Sequence, residues 1–336
     1  MLTKGKIVVT GGAGFIGSAV IWELNRLGVE RILVVDRMDQ SEKWRNLSPL
    51  RFEDYIGADD LVERVAGSPL AFGSIAAILH LGACSSTTET DSAFLIRNNF
   101  EYSKRMLLWS DAAKARFVYA SSAATYGAIE GSISESCPLR ALRPLNAYAF
   151  SKQMFDLWAE RTGHLARAVG LKYFNIFGPN EEHKGDMRSM VYKAFQQIRQ
   201  TGIVKLFRSH RSEYRDGEQL RDFLYVKDAA AMTIHLATTP QAAGIFNLGS
   251  GQAHTWLDLV SPVFTACSTP PKIEFIDMPE ILKDKYQYHT RASLDRLRAS
   301  GYRREITPLR DAVIEYVRDY LIPDCRLGDE RLKTEN

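Results

Sequence analysis

The sequence predicts an α/β fold: a doubly wound parallel sheet with helices on both faces and a smaller mixed α/β cap. Three observations carry this expectation. Short apolar runs alternate with amphipathic stretches through the first 175 residues, the rhythm of right-handed strand–helix–strand crossovers. A glycine-spaced turn, T-G-G-A-G-F-I-G, lies between the first apolar run and the first amphipathic one. Beyond Asn175 that rhythm changes, loops lengthen and the elements shorten.

Taken in order, residues 6–10 (KIVVT) read as a buried strand. Residues 15–27 carry Ile16, Val20, Leu24 and Leu27 on one helical face. Residues 31–35 (RILVV), 75–79 (IAAIL), 116–120 (RFVYA) and 168–173 (AVGLKY) read as further strands. Helical stretches over 93–113 and 148–162 separate the later ones. In the second half the pattern predicts a helix near 187–201 and a strand–helix pair near 222–237. Short strands are expected at 244–248 and 272–276, and a last helix over 308–320, ahead of Pro323. Residues 1–175, joined by segments near 222–250, form the expected dinucleotide-binding part. Residues 176–221 and 251–323 form the expected substrate-binding cap. Residues 324–336 read as a charged, frayed tail.

At 336 residues, with 45% hydrophobic and 25% charged residues, the chain has the make-up of an ordinary globular protein and can bury a large core. Lys plus Arg number 43 against 40 for Asp plus Glu, a net charge of +3. So small an excess gives no electrostatic reason to expect a nucleic-acid or membrane partner. Cys84, Cys137, Cys267 and Cys325 form no C-x-x-C pair and sit beside no histidines at zinc spacing, so no metal is expected and reduced thiols are. No apolar run reaches the length of a membrane helix, and the first residues lead straight into a strand. A cytoplasmic location is the expectation.

Gly11, Gly14 and Gly17 sit between strand and helix, which makes the turn a Rossmann-type dinucleotide site. The first glycine permits the turn, the second lets a pyrophosphate approach the backbone, and the third packs helix on strand. Asp36 lies 25 residues after Gly11, where an acid takes a ribose hydroxyl and favours NAD. Arg37 and Lys43 beside it offer cations for a 2′-phosphate, so the residues alone leave NAD and NADP open. Gly82 and Ala83 follow the third strand and suit backbone lying against a cofactor. Asn98-Asn99 is an unfavourable pair for mid-helix, which points to a polar role.

Tyr148 and Lys152 form Y-x-x-x-K, one turn apart on a helix face. An ammonium there favours phenolate. Ser122, at a strand end 26 residues upstream, can orient the same substrate oxygen. A Ser–Tyr–Lys set beside a dinucleotide loop points to catalysis by hydride transfer with a tyrosine acid/base.

The motifs TGGAGFIG, SSAATYG and YAFSK resemble the extended short-chain dehydrogenase/reductase superfamily across essentially the whole chain. Ala123 and Ala124 stand where dehydratases of that superfamily carry an acid. The segments GACSSTTE, YFNIFGPNE, HKGDM and RDFLYVKD, in that order, are similar to the ADP-L-glycero-D-manno-heptose 6-epimerase family.

The resemblance implies NADP, an ADP-heptose substrate for the lipopolysaccharide inner core, and transient oxidation at C6″. It also implies a homo-oligomer, a pentamer by analogy. Tyr148 and Lys184 would be the two acid/bases, the latter tuned by burial or by the nearby His183 and Arg188. Cofactor positions would be Phe15, Ile16, Asp36, Arg37, Lys43, Leu81, Gly82, Ala83, Cys84, Ser85, Asn98, Lys152, Ile176 and Lys184. Substrate positions would be Asn175, Asp186, Lys193, Phe207, Arg208, Ser209, His210, Arg221 and Tyr286. Asp186 and Lys193 depart from the serine and histidine common there, and residues 212–219 lengthen the loop before Arg221. Arg208, His210, Arg211, Arg215 and Arg221 crowd a short stretch that could grip a diphosphate, although Arg211 and Arg215 read rather as a solvated loop. Two other functions fit the same set: a UDP-hexose 4-epimerase, which needs no Lys184, and a non-catalytic dinucleotide-binding regulator, which needs no tuned phenol.

Overall fold

Six β-branched or apolar runs and one short edge segment pair into one parallel sheet in the computed structural model, which describes residues 5–283 and 286–329. The strands are β1 (Lys6–Thr10), β2 (Ile32–Asp36), β3 (Asp54–Gly57), β4 (Ile75–His80), β5 (Arg116–Ser122), β6 (Val169–Tyr173) and β7 (Gly244–Leu248). Their order is 3-2-1-4-5-6-7 and every pairing is parallel. The order reverses between β1 and β4, which leaves a crevice at their carboxyl ends.

Alternate side chains of each strand go to opposite faces, so the sheet has two cores. Ile7, Val9, Ile32, Val34, Leu79 and Val118 meet helices α1 (Phe15–Arg26) and α6 (Val226–Thr238) on one side. Val8, Leu33, Val35, Ile78 and Phe117 meet α2 (Ala58–Gly67), α3 (Tyr102–Ala112) and α4 (Ala147–Arg161) on the other. A third core belongs to the cap. There α5 (Met190–Thr201), α7 (Trp256–Ala266) and α8 (Leu309–Tyr316) pack on the parallel pair Val204–Phe207 and Ile273–Ile276.

The expected strands appear within a residue or two, and 6–10 and 244–248 match fully. Four differences have physical causes. Strand β3, with helix α2 behind it, carries Asp54, Asp59, Asp60 and Glu63, so a short edge strand was hidden by charge. Helix α7 contains Pro262 but starts at Thr255 with a capping box to Asp258, which holds the first turn despite the proline. The stretch expected as one helix over 93–113 has a π-turn at Ile96–Glu101, and the last helix ends in a second π-turn at Val317–Leu321. Finally, residues 324–329 are not frayed. Leu327 is fully buried and Arg326 nearly so, while the remaining tail residues lie outside the described ones.

Beneath the carboxyl end of β5 lies a buried ion pair. Lys172 Nζ is 3.1 Å from Asp156 Oδ2, with neither side chain exposed. Tyr119 OH and Ser121 Oγ donate to the same carboxylate at 2.8 and 2.7 Å. Removing one partner leaves an uncompensated charge in the core. Asp156→Leu is therefore expected to cost about 3–5 kcal/mol of unfolding free energy. The double variant with Lys172→Met should recover most of it, as read by denaturant titration.

Candidate active site

The glycine loop is shaped by backbone approaches that only glycine allows. Gly11 has φ +68°, and a Cβ there would meet Gly82 backbone at 2.7 Å. A Cβ on Gly17 would stand 2.0 Å from the Gly11 carbonyl oxygen. Helix α1 begins after Gly14 with no side-chain cap and no acid in its first turn, so its leading amides are open to an anion. Phe15 is buried and Ile16 half-buried at that turn. A bare cradle beside uncapped amides fits a dinucleotide pyrophosphate.

At the end of β2, Asp36 accepts from the Ala13 and Arg37 amides at 2.8 and 2.7 Å. Lys43 Nζ lies 3.2 Å from Asp36 and 3.3 Å from Asp39. Arg37 forks onto Asp59 at 2.7 and 3.2 Å and also donates to Asn98 Oδ1. Both cations thus have carboxylate partners, and Arg37 brings Asn98 to the same corner. Asn99, the other half of the pair, is wholly buried. It donates to the Cys84 carbonyl and accepts from the Cys84 amide, both at 2.9 Å, and donates to Ser151 at 2.9 Å. It pins the 81–85 backbone to α4, a structural part that its mid-helix position only hinted at.

Ser122, Tyr148 and Lys152 are all buried. Ser122 caps the 3-10 turn Ala123–Tyr126, and Tyr148 and Lys152 share the face of α4. Lys152 Nζ donates to the Ala120 carbonyl at 2.9 Å. Burial pulls the Lys152 pKa down to about 8, against the pull of Asp156 one turn further on. Burial also raises the Tyr148 phenol above its usual range, with a hydrogen bond to Ser122 opposing it. This corrects the expectation that the lysine lowers the tyrosine: among the groups acting on the phenol here, desolvation wins.

Lys184 lies in the turn Glu182–Met187, its Nζ 4.9 Å from the centre of the Phe15 ring. Burial lowers its pKa, Lys193 adds to the fall and Glu181 opposes it. The expected helpers differ. His183 is pushed down to about 4 by burial and by Lys184 itself, so it is neutral near pH 7, and the Arg188 guanidinium stacks 4.8 Å over Tyr192. Lys193, the departure from the common histidine, is the cation that acts.

Next to this turn opens a cavity of about 660 Å³. Asn175, Ile176, Lys193, Phe207 and Tyr286 line it together with Thr87, Met187, Gln197 and Trp256. Asn175 is held by a bond to the Asp222 carbonyl at 3.1 Å, and Tyr286 OH accepts from Trp256 Nε1 at 2.7 Å.

Residues 7–249 match the NAD dependent epimerase/dehydratase family. ADP-L-glycero-D-manno-heptose-6-epimerase of Nitratidesulfovibrio vulgaris (strain DP4) is 50% identical over 317 residues, covering 94% of this chain and 97% of its own. Its namesake in Fusobacterium nucleatum is 42% identical over 327 residues, covering 94% and 98%. The chain belongs to the ADP-L-glycero-D-manno-heptose-6-epimerase family. It is an isomerase, an epimerase by class. The crystal structure of the Helicobacter pylori ADP-L-glycero-D-manno-heptose-6-epimerase superposes with a TM-score of 0.80 at 25% identity, covering 95% of this chain and 96% of that one. Thermus thermophilus UDP-glucose 4-epimerase, in complex with NAD, shares the fold with a TM-score of 0.76 at 22% identity, covering 95% and 100%.

In this epimerase the basic stretch after Phe207 does not close into one cradle. Arg208 pairs with Asp277 at 3.1 Å. Arg211 pairs with Glu130 at 3.1 Å and stacks on Tyr288. Arg221 is buried with its guanidinium 4.8 Å over Tyr286. The Ser209 amide donates to Asp216 and the His210 amide to Tyr288 OH, both at 2.8 Å. Arg215 and Asp186 are exposed. Of this set, Arg221 reaches the cavity through Tyr286.

Lys152 gives up its proton near pH 8 in the folded epimerase, below the range of an unfolded lysine. The unfolded state therefore binds more protons between those values, and this group's contribution to stability rises with pH through that window. Denaturant titrations without nucleotide, at about pH 7 and about pH 10, check this against Lys152→Met. The native protein should gain about 1–3 kcal/mol relative to the variant as pH rises. A constant difference counts against a buried, depressed Lys152.

Proposed function

We propose that this epimerase interconverts ADP-D-glycero-D-manno-heptose and ADP-L-glycero-D-manno-heptose at C6″ through a transient 6″-ketone, with NADP as cofactor. The observation that carries the reading is the pair of acid/base groups on different elements, Tyr148 on α4 and Lys184 in the 182–187 turn. An acid/base within reach of the C6″ oxygen in each configuration lets both epimers lose and regain the hydroxyl proton without one group having to serve both positions.

Tyr148 takes the C6″ hydroxyl proton of one epimer on oxidation and gives it back only when that same epimer re-forms, so net inversion leaves a proton on Tyr148 and draws one from Lys184, while Ser122 holds the oxygen. Lys184, whose depressed pKa makes a neutral amine accessible, does the same for the other epimer. Lys152 orients the ribose side of the cofactor and keeps positive charge behind the phenol. An oxidised nicotinamide supplies, when bound, the hydride acceptor and a formal positive charge that draws the Tyr148 pKa back down. Asn175, Lys193, Arg221 and Tyr286 hold the ADP-sugar in and beside the cavity, with Asp186, Phe207, Arg208, Ser209 and His210 at its margin.

Support for NADP comes from Arg37 and Lys43 flanking Asp36. Asp59 and Asp39, their outer partners, are themselves 77% and 59% exposed, and such surface pairs are weak enough for a phosphate to displace. The same pairs favour NAD as a second reading, because each cation already has an anion. The sugar would enter the lipopolysaccharide inner core. The enzyme would work in the cytoplasm as a homo-oligomer, a pentamer by family resemblance. No helix among the described residues is long and apolar enough to cross a membrane. A UDP-hexose 4-epimerase finds support only in fold, and a non-catalytic regulator finds none.

The test is incubation of the protein with ADP-D-glycero-D-manno-heptose without added reductant, following the C6″ configuration by NMR. Conversion is expected. Turnover of UDP-glucose in place of the heptose would overturn the reading. Tyr148→Phe and Lys184→Met should each slow conversion by about 10²–10⁴-fold while still retaining cofactor. Calorimetric affinities for the two cofactors decide the other point: Arg37→Ala should weaken NADP by about tenfold or more and leave NAD nearly unchanged.

A further inference from the structure

We infer that residues 324–329 act as a strap that holds the 180–187 turn against the glycine loop, with Arg326 a positioning residue for Lys184. The inference rests on the role proposed above for Lys184.

The strap touches the turn at two points. Leu327 N–H donates to Asn180 Oδ1 at 3.0 Å. Asn180 is buried and has φ +77°, a conformation a non-glycine residue keeps only when its surroundings impose it. Its remaining groups are also used: Nδ2 donates to Ser18 Oγ on α1 at 2.9 Å, and its carbonyl accepts from Asn46 Nδ2 at 3.1 Å. The strap thus completes a junction between the glycine-loop helix, the segment after β2 and the turn that carries Lys184.

The second point is electrostatic. Both carboxylate oxygens of Glu182 are buried and accept no hydrogen bond among the described residues. Arg326 Nη1, on a side chain only 6% exposed, stands 3.6 Å from one of them. Burial pushes the Glu182 pKa up and Arg326 pulls it back. A buried carboxylate without its counter-charge takes up a proton or moves toward water, and Glu182 is two residues from Lys184.

The strap is itself anchored. Asp324 accepts from Arg45 Nη2 at 2.8 Å and from Arg326 Nη1 at 3.0 Å. Leu327 belongs to the same core as Ala13, Phe15 and Leu47. Gly328, at φ +99°, passes so close to Pro49 that a Cβ would stand 3.0 Å from its carbonyl oxygen. Within the turn, Gly185 and Asp186 are exposed, so its place depends on anchors at its base. Glu181 is one, accepting from the Ser189 amide and hydroxyl at 2.5 and 2.6 Å. Asn46, which also lies 3.3 Å from His183 Nδ1, and Ser18 are others, and the strap adds to them from the far end of the chain.

The experiment compares the full chain with Arg326→Gln, Arg326→Lys, a chain ended after Pro323 and a chain ended after Asp329. Amide hydrogen exchange of the peptide spanning 180–188 is read first, then kcat and KM for epimerisation, and NADP affinity. Arg326→Gln and the chain ended after Pro323 should exchange about tenfold faster over 180–188 and lose about 10–100-fold in kcat. KM and NADP affinity should move less than about threefold, because the cofactor and sugar contacts remain. Arg326→Lys should recover part of the loss, and the chain ended after Asp329 should behave as the full chain. Full-chain exchange over 180–188 in Arg326→Gln overturns the strap. So does faster exchange with unchanged kcat, or equal losses in Arg326→Gln and Arg326→Lys. If the full chain fails to convert the ADP-heptose, the proposed reaction falls, while exchange over 180–188 still decides whether residues 324–329 hold the turn.

Discussion

Gly11 and Gly82 bring the ends of β1 and β4 so near that a single methyl on Gly11 would fall 2.7 Å from the facing backbone. That approach lies at the point where the strand order reverses, and everything catalytic is arranged around it. Thr10 Oγ1 accepts from the Gly82 amide at 3.1 Å and lies 2.7 Å from His80 Nδ1, so the two strand ends are also joined by side chains. Burial and the Lys152 charge push His80 down to about 3, which keeps it a neutral connector across the working pH range. With the floor fixed in this way, Asn99 can set the 81–85 backbone and α4 can present its reactive face above it.

The reactive face is a graded series along one helix. Tyr148, Lys152 and Asp156 follow each other at one-turn intervals, and the buried Lys172 closes the series from β6. From Lys152 to Asp156 to Lys172 charge alternates, so each of these three ions faces an opposite one in the low-dielectric interior. The turn bearing Lys184 is built differently, from a short coil tied at its base to Ser18, Asn46, Ser189 and Leu327. One acid/base is carried by a helix and the other by an anchored loop.

Much of this was legible in the sequence because it depends on period and on glycine. The strands of the sheet, the glycine turn and the Tyr148–Lys152 spacing are local patterns, and local patterns survive in the folded state. What was not legible depends on non-local pairing. Nothing near Arg37 in sequence announces Asp59, nothing near Asn99 announces Cys84, and nothing near Glu182 announces Arg326. The direction of the Tyr148 shift was misread for the same reason: spacing shows that a lysine is near, but not that both groups are dry. Residues 324–329 read as tail because their composition is polar, yet Leu327 enters the core and Asp324 meets Arg45.

The cap has a history written in its connectivity. Its core joins Phe177 and Val191 to Leu309 and Tyr316, yet between them the chain goes back to lay β7 against β6. Half of the cap core is therefore synthesised before the last strand of the sheet and half after it. Pairings of such wide sequence separation delay the gain in contact energy until long loops have closed. Folding of this chain should then be slow and should finish with the cap, the part that receives the sugar, sealing over a sheet already in place.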